Sequence, residues 1–166
     1  MESYPTLPVH PTPATAQAAA SNPTLRIVGL VAQPCSLTPA DLAALPRVDL
    51  AEPFRCEEGW VVPSLRWRGP RLADVLALAA PLPAARYVRV CSGGYAVPVP
   101  LDEIGDALLC DGLNDEPLAL EHGAPWRLVI PGGVCFTSVK WVDCLELAAE
   151  PGARSGEQIA RARLER

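Results

Sequence analysis

Apolar and polar positions change rhythm several times along the chain, and each change marks an element. LRIVGLV (25–31) is apolar and partly β-branched, which predicts a strand. Thr38-Pro39 then supply an N-cap and a first-turn proline for a short helix through Leu45. VDLAEPFRC (48–56) and GWVVPSLRW (59–67) have strand-like stretches that Pro53 and Pro63 confine to edges or loops, and Gly69-Pro70 ends the second. Leu72, Val75, Leu76 and Ala79 fall on one helical face, predicting a helix over 71–80 that Pro81 stops. RYVRVC and YAVPVP predict two short strands around Gly93-Gly94, and LDEIGDALLC (101–110) has helical spacing. DGLNDEPL is a polar turn, after which WRLVIP and SVKWVDCLEL return to strand character. The pattern predicts a mixed α+β fold, with helices too few and too irregular for a doubly wound sheet.

Length and composition narrow the picture. At 166 residues the chain suits one domain. Residues 1–23, rich in Pro, Thr and Ala and without hydrophobic period, predict a disordered or loosely docked arm; 24–150 form the domain; 151–166 form a charged tail. That tail, ARSGEQIARARLER, reads as a solvated terminal helix. No apolar stretch reaches the roughly 20 residues of a membrane span. The N-terminal residues lack a basic region, an apolar core and twin arginines, so the expected location is the cytoplasm. A net charge of −5 and a pI near 5.0 argue against a nucleic-acid partner. The six cysteines, at 35, 56, 91, 110, 135 and 144, have no C-x-x-C spacing and are expected to stay reduced, most of them as small buried hydrophobes.

Two segments carry unusual combinations of residues, FRCEEGWVVPSLRWRG (54–69) and EHGAPWRLVIPGGVCFTSVKW (121–141). In the second, His122, Arg127 and Ser138-Val139-Lys140 surround glycines, and guanidinium, ammonium and exposed amides are the groups that hold a phosphate. Taken alone, Arg127 and Lys140 read more readily as solvated residues at strand ends, and Cys56 as a core cysteine.

The order of these segments changes that balance. FRCEEGWVVPSLRWRGPRLADVLALAAP resembles the cysteine segment of the molybdopterin-binding domain of the sulfite oxidase family: a strand-end Cys, then Trp, W-x-G and a leucine-rich helix. EHGAPWRLVIPGG followed by SVKW resembles that family's cofactor-holding segment, and SGGYAVPVPLDEI and ALLCDGLNDEPL match the region between. The resemblance implies a sulfite-oxidase-like fold of mixed β-sheets with short helices. It also implies a molybdenum–molybdopterin cofactor with Cys56 as thiolate ligand, a soft sulfur suited to a sulfur-rich metal site. His122, Arg127, Ser138, Val139 and Lys140 would hold the pterin and its phosphate, with a further polar contact at Ser92 or, one position earlier, Cys91. Arg55, Arg66 or Arg68 would favour the thiolate, while Glu57 and Glu58 face solvent.

The implied activity is a two-electron oxygen-atom transfer on a small substrate, with a non-catalytic molybdopterin-binding module or subunit as the alternative. Because the chain carries no haem or iron–sulfur motif, electrons would pass to a separate cytochrome or flavoprotein. Two departures bear on substrate and contacts. No tyrosine follows Tyr95, whereas sulfite-oxidising members carry one beyond this segment, so sulfite is not the expected substrate. The proline-rich arm offers no counterpart of the Asn and Tyr with which longer relatives contact the pterin.

Overall fold

The computed structural model describes residues 1–165; Arg166, the last residue of the charged tail, lies outside the described residues. A five-stranded sheet carries the main core, in the order Cys35–Leu37, Leu25–Gly29, Cys144–Ala148, Tyr87–Ser92, Tyr95–Pro100. Leu25–Gly29 and Cys144–Ala148 run parallel, and the other pairings are antiparallel. A four-stranded sheet (Glu116–Pro117, Gly112–Leu113, Arg66–Gly69, Val48–Ala51), a three-stranded sheet (Glu2–Ser3, Trp60–Val62, Phe54–Arg55) and the pair Leu108–Cys110 with Arg127–Val129 complete the mixed architecture.

Short helices close the main core. Pro39–Ala43 starts at a capping box, in which the Thr38 hydroxyl accepts from the Asp41 amide and the Asp41 carboxylate accepts from the Thr38 amide. Leu72–Ala77 buries Leu72, Val75 and Leu76, the face its spacing predicts. Gly29 is a packing requirement of the sheet: its φ is +87°, and a Cβ there would sit 2.2 Å from the Leu147 carbonyl oxygen.

Two hydrophobic clusters share the strand Arg127–Val129. Leu128 points into the larger cluster with Trp126, Leu109 and Val139; Val129 points into the smaller one with Trp67, Val62, Leu65, Leu108 and Leu118. The twofold alternation of a strand therefore places Arg127 on the Trp67 side, between layers.

Several stretches differ from the sequence reading, among them residues 138–143, expected as strand but irregular ahead of Cys144–Ala148. The N-terminal arm is docked: Glu2–Ser3 pairs in parallel with Trp60–Val61, the Tyr4 ring meets Trp60 edge-on at 5.7 Å, Leu7 is buried in the smaller core, and Ala14–Ala19 is helical. Apolar residues spaced between prolines bury singly, without a period that would announce them. Residues 101–110 are not one helix but a single 3-10 turn, Leu101–Glu103, followed by the strand Leu108–Cys110. The tail is helical at Ser155–Leu164, yet its start packs on the sheet: the Ser155 hydroxyl accepts from the Ala96 amide, and a Cβ on Gly156 would lie 2.7 Å from Val97 Cγ2.

Candidate functional site

Cys56 opens a tight turn at the end of the strand Phe54–Arg55. Its amide donates to the Trp60 carbonyl, and the Gly59 amide donates back to the Cys56 carbonyl, with Gly59 at φ +93°. Glu57 and Glu58 are exposed, as expected. The arginines expected to favour a thiolate do not: Arg66 pairs with Asp115, Arg68 lies 3.7 Å from Asp49, and Arg55 turns to the Met1 sulfur. Burial, the nearby Cys135 and Glu58 accordingly push the Cys56 thiol up to about 11, against a partly offsetting hydrogen bond from the Glu58 amide. Without a metal this sulfur is a thiol; a bound metal ion would deprotonate it.

The second segment builds a cationic cluster on the 3-10 turn Leu120–His122. Its three consecutive carbonyls each accept from a side chain that arrives from later in the chain: Leu120 from Trp141 Nε1 (2.7 Å), Glu121 from Lys140 Nζ (2.8 Å) and His122 from Arg127 Nη1 (2.9 Å). Carbonyl dipoles at the end of a helical turn suit cations. Arg127 Nε also donates to Ser138 Oγ at 2.9 Å, and its guanidinium lies 5.3 Å from the Phe54 ring centre and 5.1 Å from that of Trp67. Gly123 makes the crossing possible, because at φ +116° it leaves room for Lys140, whose Cβ would be 3.0 Å from a Cβ at that position.

Arg127 is only 3 % exposed, and among the described residues neither it nor Lys140 enters an ion pair. A buried and a half-buried cation without a carboxylate are held apart from their usual solvation. Burial lowers the Arg127 guanidinium to about 10, and burial followed by Arg127 lowers the Lys140 ammonium to about 8. Burial first, then Lys140 and Arg127, also lowers the His122 imidazole, whose Nδ1 is buried without a hydrogen-bond partner. Such an arrangement accepts a polyanion: two cations, a neutral imidazole with a free nitrogen, and a hydroxyl.

An open cleft with a cavity volume of about 30 Å³ lies between the two segments, lined among others by Phe54, Arg55, Trp67, Cys135 and Ser138. Glu52 ties its edges together by accepting from the Gly132 amide at 2.7 Å, and Tyr95 donates to the Phe136 carbonyl at 2.6 Å. His122, Arg127, Ser138 and Lys140 thus form one hydrogen-bonded group. Cys56 reaches the same cleft through Cys135, the two sulfurs 3.7 Å apart. Val139 stands apart from the cleft in its side chain, which is core, while its carbonyl accepts from Leu128 and fixes Ser138 and Lys140 on either side. Ser92 and Cys91 make no hydrogen bond to this group among the described residues; Ser92 faces Tyr95 across the hairpin end, and Cys91 faces Cys144.

Sequence reasoning missed Phe54, Glu52, Tyr95 and Cys135. Phe54 and Cys135 lay inside the two marked segments, whereas nothing local distinguishes Glu52 or Tyr95. Among the described residues no group of three or more His, Cys, Asp or Glu side chains gathers as a metal site, and no helix is long and apolar enough to cross a membrane.

Comparison with known proteins identifies the family. The chain is 33% identical over 129 residues to the uncharacterised oxidoreductase YuiH of Bacillus subtilis (strain 168), covering 76% of this chain and 65% of that one. It is 29% identical over 162 residues to the sulfite oxidase of Arabidopsis thaliana, covering 75% and 41%. Among solved structures it is similar to the sulfane dehydrogenase SoxCD from Paracoccus pantotrophus, with a TM-score of 0.73 at 26% identity over 78% of this chain and 39% of that one. The chain therefore spans less than two thirds of each of these relatives. The model of the oxidoreductase molybdopterin-binding domain matches residues 10–155, most of the chain, and the protein belongs to that family.

Proposed function

We propose that this chain binds a molybdenum–molybdopterin cofactor and catalyses two-electron oxygen-atom transfer on a small substrate, with Cys56 as the protein ligand to molybdenum. The observation that carries the reading is the pair of cations, Arg127 buried and Lys140 half-buried, in no ion pair among the described residues, with Arg127 bonded to Ser138 of a cleft that Cys135 also lines. The residues fit the cofactor. Arg127, Lys140, Ser138 and the free His122 Nδ1 suit a phosphate, and Cys56 suits a soft metal.

The bound cofactor would supply the redox chemistry and the oxygen-atom transfer. The chain contributes position. The carbonyls of Glu121 and His122 orient Lys140 and Arg127 before any anion arrives, so little ordering remains to be done on binding. Phe54 and Trp67 cover the guanidinium and keep water from one side of it. The Cys56 turn holds its sulfur 3.7 Å from that of Cys135, which lines the cleft. Ser92, or Cys91 beside it, is a further proposed contact. Electrons would leave to a separate cytochrome or flavoprotein. The absence of a tyrosine after Tyr95 disfavours sulfite as the substrate.

The test is elemental analysis of the protein made in a host that synthesises molybdopterin, followed by a screen of oxygen-atom donors and acceptors. About one molybdenum per chain with turnover of at least one compound is expected. Cys56→Ser should keep pterin while changing the metal's absorption and abolishing turnover; an unchanged spectrum and activity would remove Cys56 from the site. Bound cofactor that no donor or acceptor oxidises or reduces would identify a binding module instead of an enzyme.

A further inference from the structure

Cys135 has no part in the reading above, yet it sits nearest the sulfur that reading depends on. Cys56 and Cys135 are 79 residues apart in sequence, and their sulfurs are 3.7 Å apart. Reaching the roughly 2.05 Å of an S–S bond would take a closure of about 1.7 Å. Both residues stand on turns rather than in paired strands: Cys56 opens the turn to Gly59, and Cys135 opens the 3-10 turn Cys135–Thr137. Turns can absorb such a movement without breaking a ladder of hydrogen bonds. Both are half-buried free thiols, and Cys135 lines a cleft open to solvent, so a small oxidant has access. The Glu52–Gly132 hydrogen bond fastens the glycine loop before Cys135 to the segment before Cys56, which keeps the two turns opposed. The other close pair, Cys91 and Cys144, faces across paired strands of the central sheet with Cys144 buried, a less accessible setting.

We propose that Cys56 and Cys135 form a reversible disulfide that withholds the Cys56 sulfur from the cofactor, so that a bound metal gains its protein thiolate only when this pair is reduced. The gate rests on Cys56 being the molybdenum ligand. A low-molecular-weight disulfide such as glutathione disulfide is the oxidant. One cysteine attacks it, forming a mixed disulfide and releasing one glutathione; the second cysteine displaces the other glutathione and closes the protein bond. Two cysteine thiols and one glutathione disulfide become one protein disulfide and two glutathione thiols, with two electrons and two protons passing to glutathione. Excess thiol reverses the sequence. Metal ligation and the disulfide use the same sulfur and exclude one another.

The test uses the full chain without cofactor, oxidised by glutathione disulfide or reduced by dithiothreitol. Remaining thiols are alkylated and the digest is mapped by mass spectrometry. In parallel, the reductant and oxidant are removed, each form is mixed with molybdenum cofactor released from a purified molybdoenzyme, and the metal's absorption is recorded after gel filtration. A Cys56–Cys135 linked peptide is expected in the oxidised sample, whose bound metal absorbs as in reduced Cys56→Ser and unlike that of the reduced wild type. Cys135→Ser, and Cys135→Ala as a second variant, should give one spectrum under both treatments. Absence of the linked peptide, or the same spectrum from oxidised and reduced wild type when reduced Cys56→Ser differs from it, overturns the gate. Failure of the ligand reading looks different: reduced Cys56→Ser would itself give the wild-type spectrum, taking the gate with it while the linked peptide still formed.

Discussion

Lys140 carries its charge into a region where burial and Arg127 both oppose it, lowering its pKa from an ordinary 10.5 to about 8. In the cofactor-free protein, folded and unfolded chains are both protonated at Lys140 below pH 8, and the folded state bears the full cost of the buried charge. Between about 8 and 10.5 the unfolded chain binds more protons at this site, so its contribution to the unfolding free energy rises with pH. Urea titrations of wild type and Lys140→Met across this range should show the rise in the difference between them; parallel curves would mean that Lys140 is solvated. Arg127 is the other half of the proposed anion site. Arg127→Ala should reduce bound molybdenum by at least about tenfold, the scale of one or two charge-assisted hydrogen bonds, in protein whose circular dichroism is unchanged. Equal metal content in the two proteins would place the phosphate elsewhere.

The 3-10 turn Leu120–His122 and the glycine after it act as a unit. Gly123→Ala would place a Cβ 3.0 Å from that of Lys140 at a φ of +116°, a conformation that costs a non-glycine residue about 1–3 kcal/mol. Loss of stability on that scale in denaturant, together with reduced molybdenum, is the expected result; full metal content would show that Lys140 can shift without loss. Thr38→Ala is the contrasting case, since its capping box lies on a helix that packs only on the main core. It should lower stability by about 1 kcal/mol and leave molybdenum content unchanged. The misread element, 101–110, has a related cause. Leu109 buries in one cluster while Leu108 and Cys110 bury in the other, so the strand is apolar on both faces and its continuous run mimics a helix face.

Across the whole molecule, the arm is the part that sequence period could not place. Leu7, 6 % exposed, fills the smaller core beside Val62, Leu65 and Trp67, the layer that also backs Phe54 and Arg127. Leu7→Ala should therefore destabilise the protein by about 2 kcal/mol or more in chemical denaturation, where a loose arm would give no measurable change. By itself, the sequence determined the capped helix at Thr38, the helix face of Leu72, Val75 and Leu76, most strands, and the two segments that carry Cys56, His122, Arg127, Ser138 and Lys140. Those features are local, set by capping, period and turn residues within a few positions. Tertiary structure alone decided that Glu52 ties down the glycine loop, that Phe54 and Trp67 enclose Arg127, that Arg66 and Arg68 turn away to aspartates, and that Cys135 faces Cys56. Each of these depends on contacts between residues far apart in the chain, which burial in a shared core brings together and no local pattern records.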